Sequence, residues 1–139
     1  MELFDDSTDF GSWSISYGTI TEASGVGSFA FGNSVVASGF YSVGIGYEAT
    51  ASHAYSFALG KGISSSADGQ FVVGQYNLPF AAGVFVVGGG ISAVERKNLF
   101  TVDNSGNVSL SGDLSVDGFA TELKVPAKGG ISMGTFTSE

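Results

Sequence analysis

The sequence contains no cysteine, which excludes disulfides and thiolate metal sites. Only five residues are basic against thirteen acidic ones, and the net charge of −8 argues against a nucleic-acid-binding surface. No uninterrupted apolar run reaches the roughly eighteen residues of a membrane-spanning helix. Residues 1–6 also have neither the basic residues nor the apolar run typical of a signal peptide. We therefore expect no nucleic-acid binding and no membrane insertion.

Glycine, by contrast, is abundant and regularly spaced. There are 22 glycines, and 43% of the residues are hydrophobic. A five-residue phrase, SVGIG at residues 42–46 and SFALG at residues 56–60, recurs with a spacing of fourteen. Its final glycines are Gly18, Gly32, Gly46, Gly60, Gly74 and Gly88. Fourteen residues are too few for a helical hairpin, so the period predicts an all-β stack of coils with two short strands each.

Alternation along each phrase gives two faces, and we interpret the larger side chains as the core of a thin roll. Phe57 and Leu59 are thus expected inside, with the equivalent residues of the other coils. They would face smaller groups on the second strand of each coil. These smaller groups are Thr21/Ala23, Val35/Ala37, Ala49/Ala51 and Ile63/Ser65.

The opposite face of the phrase is almost free of side chains, and small faces let another backbone approach closely. Very few charges occur between residues 20 and 89, so we interpret this face as a subunit interface around a threefold axis. The predicted interface residues are Ser28, Ala30, Ser42, Gly44, Ser56, Ala58, Val72 and Val86.

After residue 90 the pattern changes to short strands separated by turns, which predicts a β-meander. The expected strands are 99–103, 107–111 and 114–117, with two further candidates at 121–125 and 131–136. The predicted organisation is an N-terminal cap at 1–19, a roll at 20–90 and a trimeric meander region at 91–139.

Catalytic and metal chemistry find little support in the sequence. His53, the only histidine, falls at a predicted turn and is expected to be exposed. Residues 103–107 lack the spacing and distal glutamate of a calcium loop, so a hairpin turn is expected there. Glu22 and Glu48 are nearly two repeats apart, too far for a catalytic carboxylate pair. We predict a protein that is not an enzyme and has no metal or cofactor.

Turn aromatics are the candidate binding residues, because the strand faces are assigned to core and interface. They are Phe40, Tyr41, Tyr47 and Tyr55. Aromatic rings at turns suit sugar or protein surfaces, and several copies would add avidity. The alternative is that Tyr41 and Tyr55, fourteen residues apart, simply stack on each other along the roll.

Two resemblances are specific. The phrases at 42–46 and 56–60 resemble the repeat of YadA-like heads of trimeric autotransporter adhesins, and this resemblance covers roughly residues 14–75. Residues 70–77 (QFVVGQYN), 96–103 (RKNLFTVD) and 105–108 (SGNV) resemble tailed-phage fibre and spike proteins. Together they imply a left-handed parallel β-roll followed by a β-meander, assembled as an intertwined homotrimer.

The function implied is that of a structural and adhesive virion protein, a phage fibre or spike segment involved in host attachment. Its partners would be other virion proteins and a host cell-surface glycan or protein. A bacterial adhesin head on the cell surface is the first alternative, disfavoured because no secretion signal, coiled-coil stalk or membrane barrel is visible. A glycan-depolymerising spike is the second, and the scarcity of acids in the repeats counts against it.

Overall fold

A computed structural model describes residues 11–114 of the chain, which form ten β-strands and no helix. The strands are β1 (Ile15–Thr19), β2 (Phe29–Asn33), β3 (Val36–Ala37), β4 (Val43–Tyr47), β5 (Thr50–Ala51), β6 (Phe57–Lys61), β7 (Phe71–Gln75), β8 (Gly83–Gly89), β9 (Asn98–Asp103) and β10 (Val108–Leu110).

Two sheets stack the repeats one above another. The larger sheet has the order β1-β2-β4-β6-β7-β8-β9-β10, and its first six strands are parallel. Phe29 pairs with Val43 and Val43 pairs with Phe57, so neighbouring strands keep the fourteen-residue spacing. The smaller sheet consists of β3 and β5, and isolated bridges to Glu22 and Ser64 extend it. The predicted all-β roll is confirmed, whereas its left-handed sense and trimeric assembly stay predictions.

Each coil turns by means of residues with positive φ. One turn has its left-handed residue at Ile20, Ser34, Glu48, Gly62 and Tyr76. The other turn has it at Trp13, Gly27, Tyr41, Tyr55 and Gly69. Glycine is required where the phrase ends: Gly46 has a φ of 133°, and a Cβ there would lie 2.0 Å from the carbonyl oxygen of Gly60. The recurring glycine therefore permits both the backbone conformation and the close approach of the next coil.

The core between the two sheets contains the small side chains, which is the reverse of the predicted facing. Ser56 and Ala58 are fully buried, whereas Phe57 between them is 38% exposed. All eight residues predicted at a subunit interface are buried within the single chain: Ser28, Ala30, Ser42, Gly44, Ser56, Ala58, Val72 and Val86. Already buried in one chain, they cannot form the contact between chains, so that prediction is wrong.

The reason for the reversal is the thinness of the roll. A Cβ placed on Gly44 would lie 2.7 Å from Cγ1 of Val35 on the opposite side of the core. A phenylalanine could not fit where even a methyl group is too large. The large side chains of the phrase are therefore excluded to the outer face of the sheet.

The predicted inward side of the second strand is confirmed. Its residues Thr21/Ala23, Val35/Ala37, Ala49/Ala51 and Ile63/Ser65 are all buried. Hydroxyls from the two sides of the core meet directly: Ser65 Oγ donates to Ser56 Oγ at 3.0 Å. Ser56 Oγ in turn donates to the carbonyl oxygen of His53 at 2.7 Å. The hydroxyls of Ser56 and Ser65 thereby satisfy each other, whereas the hydroxyl of Ser28 is buried without a partner in the described structure.

After β8 the chain reverses, and β9 and β10 add antiparallel strands to the large sheet. They correspond to the predicted strands 99–103 and 107–111. The predicted strands 121–125 and 131–136, and nearly all of 114–117, lie outside the described residues. Most of the predicted cap at 1–19 also lies outside them, and the domain boundaries stay predictions.

Candidate binding surfaces

The outer side of the large sheet is apolar over its whole width. Each of its eight strands contributes two apolar side chains, and none of them is buried in the single chain. We call this set the apolar face. It consists of Ile15/Tyr17, Phe29/Phe31, Val43/Ile45, Phe57/Leu59, Phe71/Val73, Phe85/Val87, Phe100/Val102 and Val108/Leu110.

The rings of the apolar face stack along the roll because the repeat places them one strand spacing apart. The centroids of Phe57 and Phe71 are 5.6 Å apart, as are those of Phe71 and Phe85. The rings of Tyr17 and Phe31 are also stacked, with their centroids 5.2 Å apart. A continuous apolar surface across eight strands is more than soluble monomers usually expose, which indicates an interaction surface.

Three of the four predicted binding residues lie together at one turn edge of the roll. The ring of Phe40 packs edge to face against those of Tyr41 and Tyr55, with ring centroids 4.5 and 6.1 Å apart. Tyr41 and Tyr55 are stacked at 6.1 Å with an interplanar angle of 18°, which confirms the predicted stacking. All three rings are exposed, and we call them the turn cluster. Tyr47 ends β4 and so lies at the opposite turn edge, apart from the cluster.

At that opposite edge, three consecutive charged residues, Glu95, Arg96 and Lys97, follow β8, and Arg96 has a structural role that the sequence did not reveal. Arg96 Nη1 donates to the carbonyl oxygens of Gly62 at 2.7 Å and Asn77 at 3.2 Å. Its guanidinium and the Lys61 ammonium both lie over the ring of Tyr76, at 5.9 and 5.6 Å. The side chain of Arg96 thereby ties the segment after β8 to the turns of the roll.

The remaining candidate residues do not form a catalytic site. His53 lies in a turn as predicted, but it is half-buried rather than exposed, and its Nδ1 is buried without a hydrogen-bond partner in the described structure. Asp103 begins a hairpin turn, as predicted, and its Oδ2 accepts a hydrogen bond from Asn107 Nδ2 at 2.8 Å. Hydrogen bonds from the Asn107 side chain and from backbone N–H groups of the turn lower the pKa of Asp103. Within residues 11–114, no three side chains of aspartate, glutamate, histidine or cysteine lie close enough together to hold a metal ion.

A shallow groove lies between the loop after β7 and the β9–β10 hairpin. It has a volume of about 370 Å³. Its lining residues are Leu78, Phe80, Lys97, Asn98, Thr101, Ser109 and Ser111. The charged residue Lys97 has no acidic neighbour among them, so the groove offers no acid and base pair.

Over the described part of the chain, no helix is both long and apolar enough to cross a bilayer.

Comparison with known families identifies the repeats. The family model of the YadA head domain repeat matches two copies within residues 37–62. No curated protein and no solved structure matches the chain. The matched segment extends from the end of β3 to just beyond β6 and includes the whole turn cluster. With the solenoid fold, this match indicates an adhesin-type structural domain exposed at an extracellular surface.

Proposed function

We propose that this chain is a segment of a trimeric surface fibre or spike that holds an adhesive surface away from the particle or cell bearing it. The observation that carries the proposal is the apolar face, which presents two uncovered apolar side chains from each of eight strands. Burying this surface is worth roughly 25 cal/mol for each Å² removed from water, which makes it a strong driving force for association.

The partner that fits the apolar face best is a second and third copy of the same chain. Its side chains repeat at one strand spacing, so an identical face offers matching ridges and gaps along the full length. Along these eight strands the single charged residue in the outward alternation is Lys61, at the end of β6. Heads built from YadA repeats typically form homotrimers and bind host surfaces, which supports this choice of partner.

We further propose that the fibre belongs to a phage virion, with other virion proteins and a host cell-surface glycan or protein as partners. The support is the resemblance of residues 96–103 and 105–108 to tailed-phage fibres. These residues build β9, the hairpin turn and the start of β10, which continue the large sheet beyond the repeats. A bacterial adhesin head is the second candidate, favoured by the repeat match at residues 37–62.

Sedimentation equilibrium tests the assembly. We expect the wild-type chain to sediment as a trimer, and Phe57→Asp to sediment as a monomer whose circular dichroism spectrum keeps its β character. Tyr47→Ala, at an exposed turn, is the matched control and should remain trimeric. A wild-type chain that stays monomeric at micromolar concentration would contradict the proposal. Gold-labelled antibodies against the chain, applied to purified virions and to bacterial cells, would distinguish the two candidate surfaces.

A further inference from the structure

One row of turn residues carries an unequal set of side chains. Each coil contributes one left-handed residue to this row, and after Trp13 of the first coil these are Gly27, Tyr41, Tyr55 and Gly69. The rings lean towards the preceding coil: a Cβ on Gly27 would lie only 2.3 Å from Cδ1 of Tyr41. Tyr55 is stacked on Tyr41 in the same manner. Each ring of the row thus covers the position before it.

The row ends at Gly69, and the ring of Tyr55 is left uncovered on that side. A Cβ placed on Gly69 would have no atom within 4 Å. Tyr55 is 57% exposed, and Phe40 supports it edge-on from the side. The result is an open aromatic platform beside a space with no side chain. We call Tyr55, Asp68 and Gly69 the turn step.

A carboxylate is hydrogen-bonded to the backbone immediately before Tyr55. Oδ1 of Asp68 accepts a hydrogen bond from the backbone N–H of Ala54 at 3.0 Å. Asp68 lies one coil after Ala54, and Ala54 directly precedes Tyr55. Oδ2 has no hydrogen-bond partner in the described structure, and the side chain is exposed. One acceptor oxygen is therefore free to bind a ligand.

The backbone at Tyr55 is itself unfavourable for a tyrosine. Its φ is 58°, and that of Tyr41 is 51°. A left-handed conformation costs roughly 1 to 2 kcal/mol for a residue with a Cβ. Glycine occupies the equivalent positions 27 and 69, so the turn alone does not require an aromatic residue. The same left-handed φ occurs at Ile20, Ser34 and Glu48, so it belongs to the turns of the roll in general.

We propose that the turn step binds one uncharged sugar ring of a surface glycan. The apolar C–H face of the sugar would stack on Tyr55, and its hydroxyls would donate hydrogen bonds to Asp68. The carboxylate and the net charge of −8 disfavour acidic sugars. The inference deepens the adhesive role proposed above and rests on it, and three copies in one trimer would add avidity to weak single contacts.

Saturation-transfer NMR on the full chain tests the proposal. The probes are the methyl glycosides of glucose, galactose and mannose, with N-acetylglucosamine and, as a charged comparison, glucuronic acid. We expect at least one uncharged sugar to bind in the millimolar range, and glucuronic acid to bind at least tenfold more weakly. Equal binding of glucuronic acid and its uncharged counterpart would overturn the assigned chemistry.

Two variants probe the turn step without dismantling the roll. Gly69→Tyr extends the row by one ring, as at positions 41 and 55, and should cover Tyr55 and reduce sugar affinity at least tenfold. Asp68→Asn keeps an oxygen for the N–H of Ala54 but removes the charge, and should weaken uncharged sugars several-fold while removing the discrimination against glucuronic acid. Glu48→Gln, at the opposite edge, should bind sugars like the wild type.

The outcomes separate this proposal from the proposed function. Unchanged sugar binding by Gly69→Tyr would overturn the turn step as the site. If no probe sugar binds while sedimentation shows an intact trimer, the turn step is wrong and the trimeric fibre stands. If the wild-type chain is monomeric yet binds a sugar that Gly69→Tyr does not bind, the turn step stands and the trimer is wrong.

Discussion

The side-chain amide of Asn77 forms the two hydrogen bonds that a further strand would make with the backbone of Ser64. Its Oδ1 accepts from the Ser64 N–H at 2.8 Å, and its Nδ2 donates to the Ser64 carbonyl oxygen at 3.0 Å. One coil earlier, the equivalent carbonyl of Thr50 accepts from the backbone N–H of Ser65. The residue fourteen positions after Ser65 is Pro79, which has no N–H to donate to the Ser64 carbonyl oxygen. Asn77 therefore completes the smaller sheet where the repeat stops.

Replacing Asn77 by leucine should destabilise the chain by about 2 to 5 kcal/mol, because two part-buried backbone groups of Ser64 would lose their partners. Urea unfolding measures the effect. Asn98→Leu is the matched control, since Asn98 makes the same pair of hydrogen bonds to the exposed backbone of Leu78. Water can replace these bonds, so the expected loss is below about 1 kcal/mol. Equal losses in the two variants would contradict the assigned role.

A second prediction concerns the inward side of the main strands. Ala58→Leu should destabilise the folded chain by about 1 to 3 kcal/mol, because the core between the sheets has no room for the added carbons. The oligomeric state should be unchanged below the melting transition. Ala81→Leu, at an exposed loop position, should change stability by less than about 0.5 kcal/mol. An Ala58→Leu variant as stable as the wild type would restore the original assignment of this residue to the outside.

The phrase-ending glycines provide a third prediction. Gly46→Ala should cost at least about 3 kcal/mol, because it combines backbone strain with a Cβ that would lie 2.0 Å from the Gly60 carbonyl oxygen. Gly69→Ala has a left-handed φ of 66° and open space around the Cβ, so only about 1 to 2 kcal/mol is expected. Thermal unfolding of both variants separates backbone strain from the clash with the next coil. An identical loss of stability in the two variants would show that the close approach between coils is unimportant.

The existence and spacing of the strands could be predicted from the sequence, but their facing could not. Alternation defines two sets of residues without saying which is inside, and the usual rule places phenylalanine in the core. That rule failed at Phe57 because the two sheets are too close together. One signal was present: Ala37 and Ala51 on the second strand are as small as Ala58 on the first. Small residues on both strands indicate a thin core and leave the large ones for the outer face of the sheet.

The candidate sites were predicted to different extents. The fourteen-residue spacing predicted that Tyr41 and Tyr55 would stack. It did not show that the rings lean towards the preceding coil, and that direction is what leaves Tyr55 open beside Gly69. The role of Asn77 was not predicted, because a sequence does not show that a side-chain amide takes the place of backbone groups in a sheet.

The hairpin turn at Asp103 gives a prediction for pH. Hydrogen bonds to its carboxylate lower its pKa from the ordinary value of 3.8, so the stabilisation is fully present above that value. It should be lost as the pH falls through the lower pKa of the folded chain. Carbon-13 NMR of the Asp103 carboxyl group measures the midpoint, and faster exchange of the Ser105 and Asn107 amides should accompany protonation. A midpoint at or above 3.8 would contradict the role of these bonds.

The fourteen-residue register makes the length of this protein adjustable in discrete steps. Each coil adds one strand spacing of about 4.8 Å along the stack. Removing or adding one whole coil would leave every inward residue inward and would keep the apolar face continuous. Removing a single residue from a strand would break the pairing register of that coil and expose side chains that are meant to face inward. The length of such a chain is therefore set by its number of coils, in whole multiples of one strand spacing.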